Sequence, residues 1–304
     1  MIDPFVAYHA DTIEVARAMP DESVDYSIFS PPFASLYTYS ASDRDMGNSR
    51  TYEEFFEHMA FLAEESFRIM ALGRCLSFHC MLLPTSKERD GYIGLRDFRG
   101  DLIRCYQQAG FVFHSEVVIW KDPVVAMTRT HALGLLHNQL RKDSCKSRQG
   151  IPDYLVTMRK DGVNAKPVGH WSNNRITGEL EGNPEGEEFQ VARWQQYASP
   201  VWMDIDPSDT LQYRSAREHD DERHICPLQL EVIRRGIELW SRKDDVVWSP
   251  FMGIGSEGVV AIEMGRRFIG AELKQSYYDQ ALKNLTVAAT HNQQPLFAAE
   301  GDMG

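Results

Sequence analysis

Cysteine, positive charge and long apolar runs are all scarce in this chain, and each scarcity excludes something. The cysteines at positions 75, 80, 105, 145 and 226 are odd in number, widely spaced and contain no Cys-x-x-Cys pair. That leaves no zinc-ligand pattern and no disulfide framework, so reduced and mostly buried thiols are expected. No apolar run approaches the roughly 20 residues needed to cross a bilayer, so no membrane partner is expected. The opening Met1-Ile2-Asp3-Pro4 lacks the basic and apolar stretches of a signal peptide. A cytoplasmic protein is the expectation. Neither an internal repeat nor a low-complexity tract is present. Lys and Arg total 32 against 44 Asp and Glu, a net charge of −12, which argues against a general nucleic-acid binder. The basic residues are unevenly placed, however. Arg129, Arg141, Lys142, Lys146, Arg148, Arg159, Lys160 and Lys166 fall between Lys121 and Arg175 with few acids among them, enough for one basic face on an acidic protein.

What is present is an α/β rhythm. Residues 13–19 read as a helix that Asp11 or Thr12 can cap. Val24–Phe29 suits a short buried strand after the turn at Pro20-Asp21-Glu22-Ser23. Residues 52–70 form an amphipathic helix, with Phe55, Phe56, Met59, Leu62, Ala63, Phe67 and Met70 at helical spacing and Gly73 ending it. A strand over 75–80, a helix over 97–109 closed by Gly110, and a strand over 111–120 follow. From about 122 to 223 the rhythm breaks, apart from a strand over 154–158. That stretch is too long for one loop and reads as an inserted recognition region. The rhythm resumes with a helix over 228–240, a strand over 245–248, a helix over 257–264, a strand over Arg267–Glu272 and a helix over 277–288. The tail after His291 has no strong pattern. A largely parallel sheet covered by helices is implied.

Two runs carry chemistry. Gly253, Gly255 and Gly258 spell Gly-x-Gly-x-x-Gly directly after an expected strand and at the start of an expected helix. In that setting glycines allow a tight turn and close backbone approach to a nucleotide-like ligand. Glu272 follows Gly253 by nineteen residues, at the end of the next strand, where a carboxylate can take hydrogen bonds from both hydroxyls of a ribose. A dinucleotide dehydrogenase would satisfy the same pattern, but too little chain follows Gly258 to finish such a sheet. The missing strands must come from the N-terminal half, so a circularly permuted sheet is expected, with the cofactor half encoded last.

The other run is Ser30-Pro31-Pro32-Phe33, just past the strand over Val24–Phe29. The prolines fix their own φ, remove two N–H donors and bias Ser30 toward an extended conformation. The resulting elbow offers the Ser30 hydroxyl and nearby carbonyls as acceptors. An amino group on an aromatic ring is a poor nucleophile because its lone pair is delocalised. Two acceptors can draw that nitrogen toward tetrahedral geometry, and Phe33 supplies a flat apolar face for the ring. No strong base is required, since the nitrogen becomes acidic once alkylated.

Taken together, these residues resemble the β-class DNA amino-methyltransferases, which use S-adenosylmethionine. Ser30-Pro31-Pro32-Phe33 is similar to that family's catalytic motif, and Phe251-Met252-Gly253-Ile254-Gly255 to its Phe-x-Gly-x-Gly. Phe268-Ile269-Gly270-Ala271-Glu272 is similar to its ribose-binding strand. His224-Ile225-Cys226-Pro227-Leu228 resembles the segment that wraps the methionine end, and His9-Ala10-Asp11 the place where an acid meets the adenine. The resemblance implies catalysis by Ser30, Pro31, Pro32 and Phe33. It implies cofactor contacts from Asp11, Ser249, Pro250, Phe251, Met252, Gly253, Gly255, Glu272, Cys226, Pro227 and Leu228. Two departures stand out: Ser249 replaces the family's usual aspartate, which weakens an expected contact to the methionine amine, and Ala10 replaces a glycine.

The expected organisation is a catalytic half over 1–121, a target-recognition region over 122–223, a cofactor half over 224–290 and a tail over 291–304. The expected partner is double-stranded DNA, with Arg129, Arg141, Lys142 and Arg148 as contacts, and the family often forms homodimers. Family usage links Ser-Pro-Pro with cytosine N4. The longer run through Leu36-Tyr37-Thr38-Tyr39 to Asp45-Met46-Gly47-Asn48 resembles orphan and prophage adenine enzymes and narrowly favours adenine N6, in a bacterial or phage setting. A methyltransferase for RNA or a protein amide, and a DNA-binding protein that has lost catalysis, are the readings from other classes.

Overall fold

A computed structural model of the chain describes residues 3–33, 49, 51–124, 141–146, 148–168, 172–173, 180–181, 187–212 and 227–293. Its centre is an eight-stranded sheet. In chain order the strands are β1 (Phe5–His9), β2 (Val24–Phe29), β3 (Met70–Met81), β4 (Val112–Ile119), β5 (Asp153–Arg159), β6 (Val201–Trp202), β7 (Val246–Ser249) and β8 (Arg267–Glu272). Across the sheet they run β1-β8-β7-β2-β3-β5-β4-β6. The five strands from β1 to β3 are parallel, β5 is antiparallel to both β3 and β4, and β6 is parallel to β4.

Helices cover both faces, because strand side chains alternate and each face is apolar. One face packs on α1 (Thr12–Ala18), α2 (Tyr52–Ile69) and α3 (Phe98–Gln108). Phe29, Trp248, Phe55, Met59, Leu62, Phe98 and Tyr106 fill that layer. The other face packs on α5 (Leu230–Trp240), α6 (Ser256–Glu263) and α7 (Gln275–Gln293), through Tyr26, Ile28, Val247, Ile233, Val260 and Leu285. Each such fully buried aromatic or branched side chain contributes about 1.5–3 kcal/mol, so neither layer is dispensable. Four of the five cysteines are described; all are reduced, and Cys145 alone among them is exposed. No described helix is long and apolar enough to cross a membrane.

Several elements differ from the sequence reading. Phe5–His9 is a strand, paired along its length with β8, although its short flanks hide it. Gly73 does not end α2: the helix stops at Ile69, Met70 is already extended, and Gly73 lies inside β3 with φ 72°. There the β2–β3 register jumps between Val24 and Tyr26, and a Cβ would sit 2.6 Å from the Asn164 backbone nitrogen, so the kink needs glycine. The break in rhythm over 122–223 is not a break in the sheet, because Asp153–Arg159 is wedged between β3 and β4 and Val201–Trp202 adds the far edge. The strand over 154–158 is legible in the sequence and only its place in the sheet is not, whereas the two residues of Val201–Trp202 carry too little periodicity to be told from a loop. The helix α4 (Glu187–Ala198) in the same stretch docks on α5, where Tyr197 donates to Glu238 at 2.7 Å. The sheet is therefore mixed rather than largely parallel on that side.

Candidate active site

Strands β7 and β2 are adjacent and parallel, with Val247 opposite Tyr26 and Trp248 opposite Ser27. The Ser27 hydroxyl donates to the Trp248 carbonyl at 2.9 Å and locks the pair. The chain leaves β7 through α6 toward β8 on one side, and leaves β2 through α2 toward β3 on the other. A crevice opens outside the carboxyl ends of strands where the winding reverses in this way. Ser30 and the run beginning at Ser249 leave the sheet together at that crevice, and the Phe251 ring packs against Phe29 at 5.8 Å.

The glycine turn is built locally. Gly253 has φ 55° and Gly255 φ 90°, conformations that disfavour any residue with a Cβ. Gly255 caps α6, and its N–H donates to the Met252 carbonyl at 2.8 Å. A Cβ on Gly253 would meet nothing within 4 Å, so its outer side is open, whereas one on Gly258 would meet Leu285 at 2.4 Å and Phe268 at 2.6 Å. The first glycine faces a space and the third permits close helix packing. Glu272 spans the turn: one carboxylate oxygen accepts from the Gly253 N–H at 2.9 Å and the other from the Lys274 N–H at 2.8 Å. Ser249 is fully buried and its hydroxyl finds no partner among the described residues. Pro250 and Met252 are buried beside it. In the first turn of α6, burial pushes the Glu257 carboxyl up to about 8; its own backbone N–H opposes this and the Glu272 charge adds to it.

The elbow is built from distant parts of the chain. Ser30 is half-buried, Pro31 buried, and Phe33 packs on Phe98 at 6.3 Å between ring centres. The Ser30 hydroxyl lies 3.1 Å from Nδ1 of His79, near the end of β3. On the far side of the ring, Nε2 lies 3.0 Å from Oδ2 of Asp153, the first residue of β5. Lys121, two residues past β4, places its ammonium 2.5 Å from the same oxygen. Burial alone would raise the Asp153 carboxyl, but His79 and Lys121 outweigh it and hold the group below the usual carboxylate range. The sequence reading did not single out His79, Asp153 or Lys121. No spacing rule could have found them, because three separate strands bring them to Ser30.

The other candidate residues are distributed as follows. Asp11 caps α1, with its Oδ1 accepting from the Ile13 N–H at 2.8 Å and the Glu14 N–H at 3.2 Å. It stands at the end of β1, beside β8, where His9 is opposite Glu272. Leu228 is buried in the layer under α5 and Pro227 is half-buried, while Cys226 lies outside the described residues. Arg141 and Lys142 are exposed, Arg148 is half-buried, and Arg129 lies outside the described residues. The basic run is not all surface. Lys121 is tied to Asp153, Arg159 pairs with Asp161 at 3.1 Å, and the Lys160 ammonium donates to the Met70 carbonyl at 2.8 Å.

Comparison with known proteins gives a consistent result. A family model described as DNA methylase matches residues 24–283. The type II methyltransferase M.BglII of Bacillus subtilis is 22% identical over 283 residues, covering 92% of this chain and 68% of that protein. The DNA adenine methyltransferase YhdJ of Escherichia coli is 33% identical over 92 residues, 30% of this chain and 31% of the relative. Among solved structures, one described as a DNA modification methylase from Thermus thermophilus, complexed with S-adenosyl-L-methionine, superposes with a TM-score of 0.62. It is 20% identical and covers 93% of this chain and 95% of its own, a likeness of fold.

Proposed function

The chain belongs to the DNA methylase family, and from that premise we propose that it transfers a methyl group from S-adenosylmethionine to the exocyclic amine of a base flipped out of double-stranded DNA. The observation that carries this reading is the juxtaposition of the Ser30 elbow and the Gly253 turn at the ends of two paired strands. A methyl donor in the turn and an amine in the elbow would then meet in one crevice.

The residues fit such a donor. Gly253 presents an open side, Ser249 a buried hydroxyl in want of a partner, and Glu272 and Asp11 carboxylates at neighbouring strand ends. In this reading Pro250, Phe251, Met252 and Gly255 shape the wall of the turn, with Pro227 and Leu228 behind it. When bound, the sulfonium supplies an electrophilic methyl group. The chain's own part is positioning. The Ser30 hydroxyl and the Pro31 carbonyl accept the two amine hydrogens, Phe33 stacks on the base, and the two prolines keep competing donors away. Flipping the base costs a few kcal/mol, which DNA contacts must offset. We assign those contacts to the part of residues 122–223 that lies outside the sheet, with Arg141, Lys142 and Arg148 foremost among the described residues. A homodimer and a bacterial cytoplasmic setting complete the reading.

Adenine N6 is favoured over cytosine N4, on the stretch of similarity to an adenine enzyme. The test is transfer of labelled methyl from S-adenosylmethionine to DNA, RNA and protein in parallel, followed by nucleoside analysis. Label in DNA as N6-methyladenine is expected. N4-methylcytosine reverses the choice of base, and label confined to RNA or protein, or none at all, overturns the reading.

A further inference from the structure

The chain of contacts behind Ser30 has a direction. A neutral imidazole carries one donor nitrogen and one acceptor nitrogen, and the partner of one decides the other. His79 Nε2 lies 3.0 Å from Asp153 Oδ2 without an aligned hydrogen bond, and no other group among the described residues bonds it. A bare lone pair on Nε2 would be repelled by the ionised carboxylate oxygen at that distance, which favours the tautomer with the hydrogen on Nε2 and the lone pair on Nδ1. With Nδ1 3.1 Å from the Ser30 oxygen, the serine must donate its hydrogen backward. Both lone pairs of that oxygen are then left free to accept. In the opposite tautomer Nδ1–H would occupy a serine lone pair, and the serine hydrogen would be free to meet the hydrogens of an incoming amine.

We propose that His79, oriented by Asp153 and Lys121, is a positioning residue that holds the Ser30 hydroxyl in the acceptor orientation needed to receive the amine. The inference rests on the proposed function above, since it assumes an amine in the elbow. Stability alone does not account for the arrangement. His79 and Asp153 are both buried, and a buried polar contact of this kind adds little over an apolar replacement of similar volume. His79 touches the Ser30 hydroxyl, Asp153 stands behind His79 and Lys121 behind Asp153, and that hydroxyl lies in the motif that marks the site.

Two measurements test it. In the ligand-free protein, nitrogen-15 NMR of the histidine side chains should show His79 as the Nε2–H tautomer; Nδ1–H would overturn the proposal without reference to any activity. In single-turnover methylation of DNA, His79→Leu, which keeps the volume and removes the acceptor, should lower the rate by about 10²-fold, the scale of a misoriented reacting group. Its affinities for S-adenosylmethionine and for DNA should be unchanged. His79→Asn, whose amide oxygen can stand where Nδ1 stands, should recover most of that loss. A His79→Leu protein at full rate, or a His79→Asn protein as slow as His79→Leu, overturns the inference. Should His79→Leu fail to fold, the native tautomer and the rate of His79→Asn against wild type decide. Absence of DNA methylation in the wild-type protein would instead remove the functional reading, which keeps the two failures distinct.

Discussion

The glycine turn and the serine elbow are neighbours in space but were assembled in opposite ways. The turn takes its strand, its glycines, its helix and its closing carboxylate from one unbroken stretch, so that Glu272 reaches the Gly253 N–H across nineteen residues. The elbow takes its hydroxyl from the end of β2, its imidazole from β3, its carboxylate from β5 and its ammonium from beyond β4. The buried acids in the two regions differ to match. Glu257 has no cation set against it among the described residues and is pushed toward the neutral form, whereas Asp153 has two partners on one oxygen and is held ionised. A local motif can tolerate an unpaired acid, while a converging network depends on a paired one.

The largest effect that would sharpen this contrast is expected at the elbow. Ser30→Ala should cost about 10²–10³-fold in single-turnover rate, the scale of one lost oriented polar contact to a reacting centre, with cofactor and DNA binding preserved. Normal turnover in that variant would remove the elbow from the chemistry. At the turn the effect should fall on binding instead. Glu272→Ala should weaken S-adenosylmethionine by about 1.5–3 kcal/mol in a calorimeter, and unchanged affinity would detach the carboxylate from the ribose.

A third, smaller effect separates the two buried acids by pH. Glu257 has its folded-state pKa raised from 4.5 to about 8, so its contribution to stability is fully present below about 4.5 and is lost as pH rises toward 8. Glu257→Gln should therefore leave stability unchanged in mild acid and raise it by about 2 kcal/mol at pH 8, well under the ceiling set by 1.4 kcal/mol per unit. Asp153 has the opposite sign. Its folded-state pKa is depressed, so its contribution is present above the ordinary carboxylate range and is lost as pH falls through the lower folded value. Denaturant melts of Glu257→Gln and Asp153→Asn across pH would show the same sign for both if the contrast is wrong. The smallest effect concerns DNA. Replacing Arg141, Lys142 and Arg148 singly should flatten the salt dependence of binding by about one unit of slope each, on every sequence alike. A joint replacement that leaves the slope intact would place the basic face elsewhere.

What was legible in the sequence follows the same division. The amphipathic run from Tyr52, the Gly253 turn with Glu272 beyond it, and the Ser30-Pro31-Pro32-Phe33 elbow could all be read, because each is a short-range consequence of periodicity, φ freedom or a missing N–H. The short edge strand Phe5–His9 could not, nor could the place of Asp153–Arg159 in the sheet, because a strand of five to seven residues shows its role only against its neighbours. Gly73 was misread as a helix stop for a related reason: what demands glycine there is the approach of Asn164, ninety-one positions on. By itself, then, the sequence determined which segments bend, cap and turn, and which residue types stand ready for an amine and a nucleotide-like ligand. The tertiary structure alone decided that β7 and β2 lie side by side, so that turn and elbow share a crevice, and that His79, Asp153 and Lys121 line up behind Ser30. The physical reason is that strand pairing couples residues through space regardless of their separation along the chain, and a hydroxyl's direction is set by whatever that pairing brings against it.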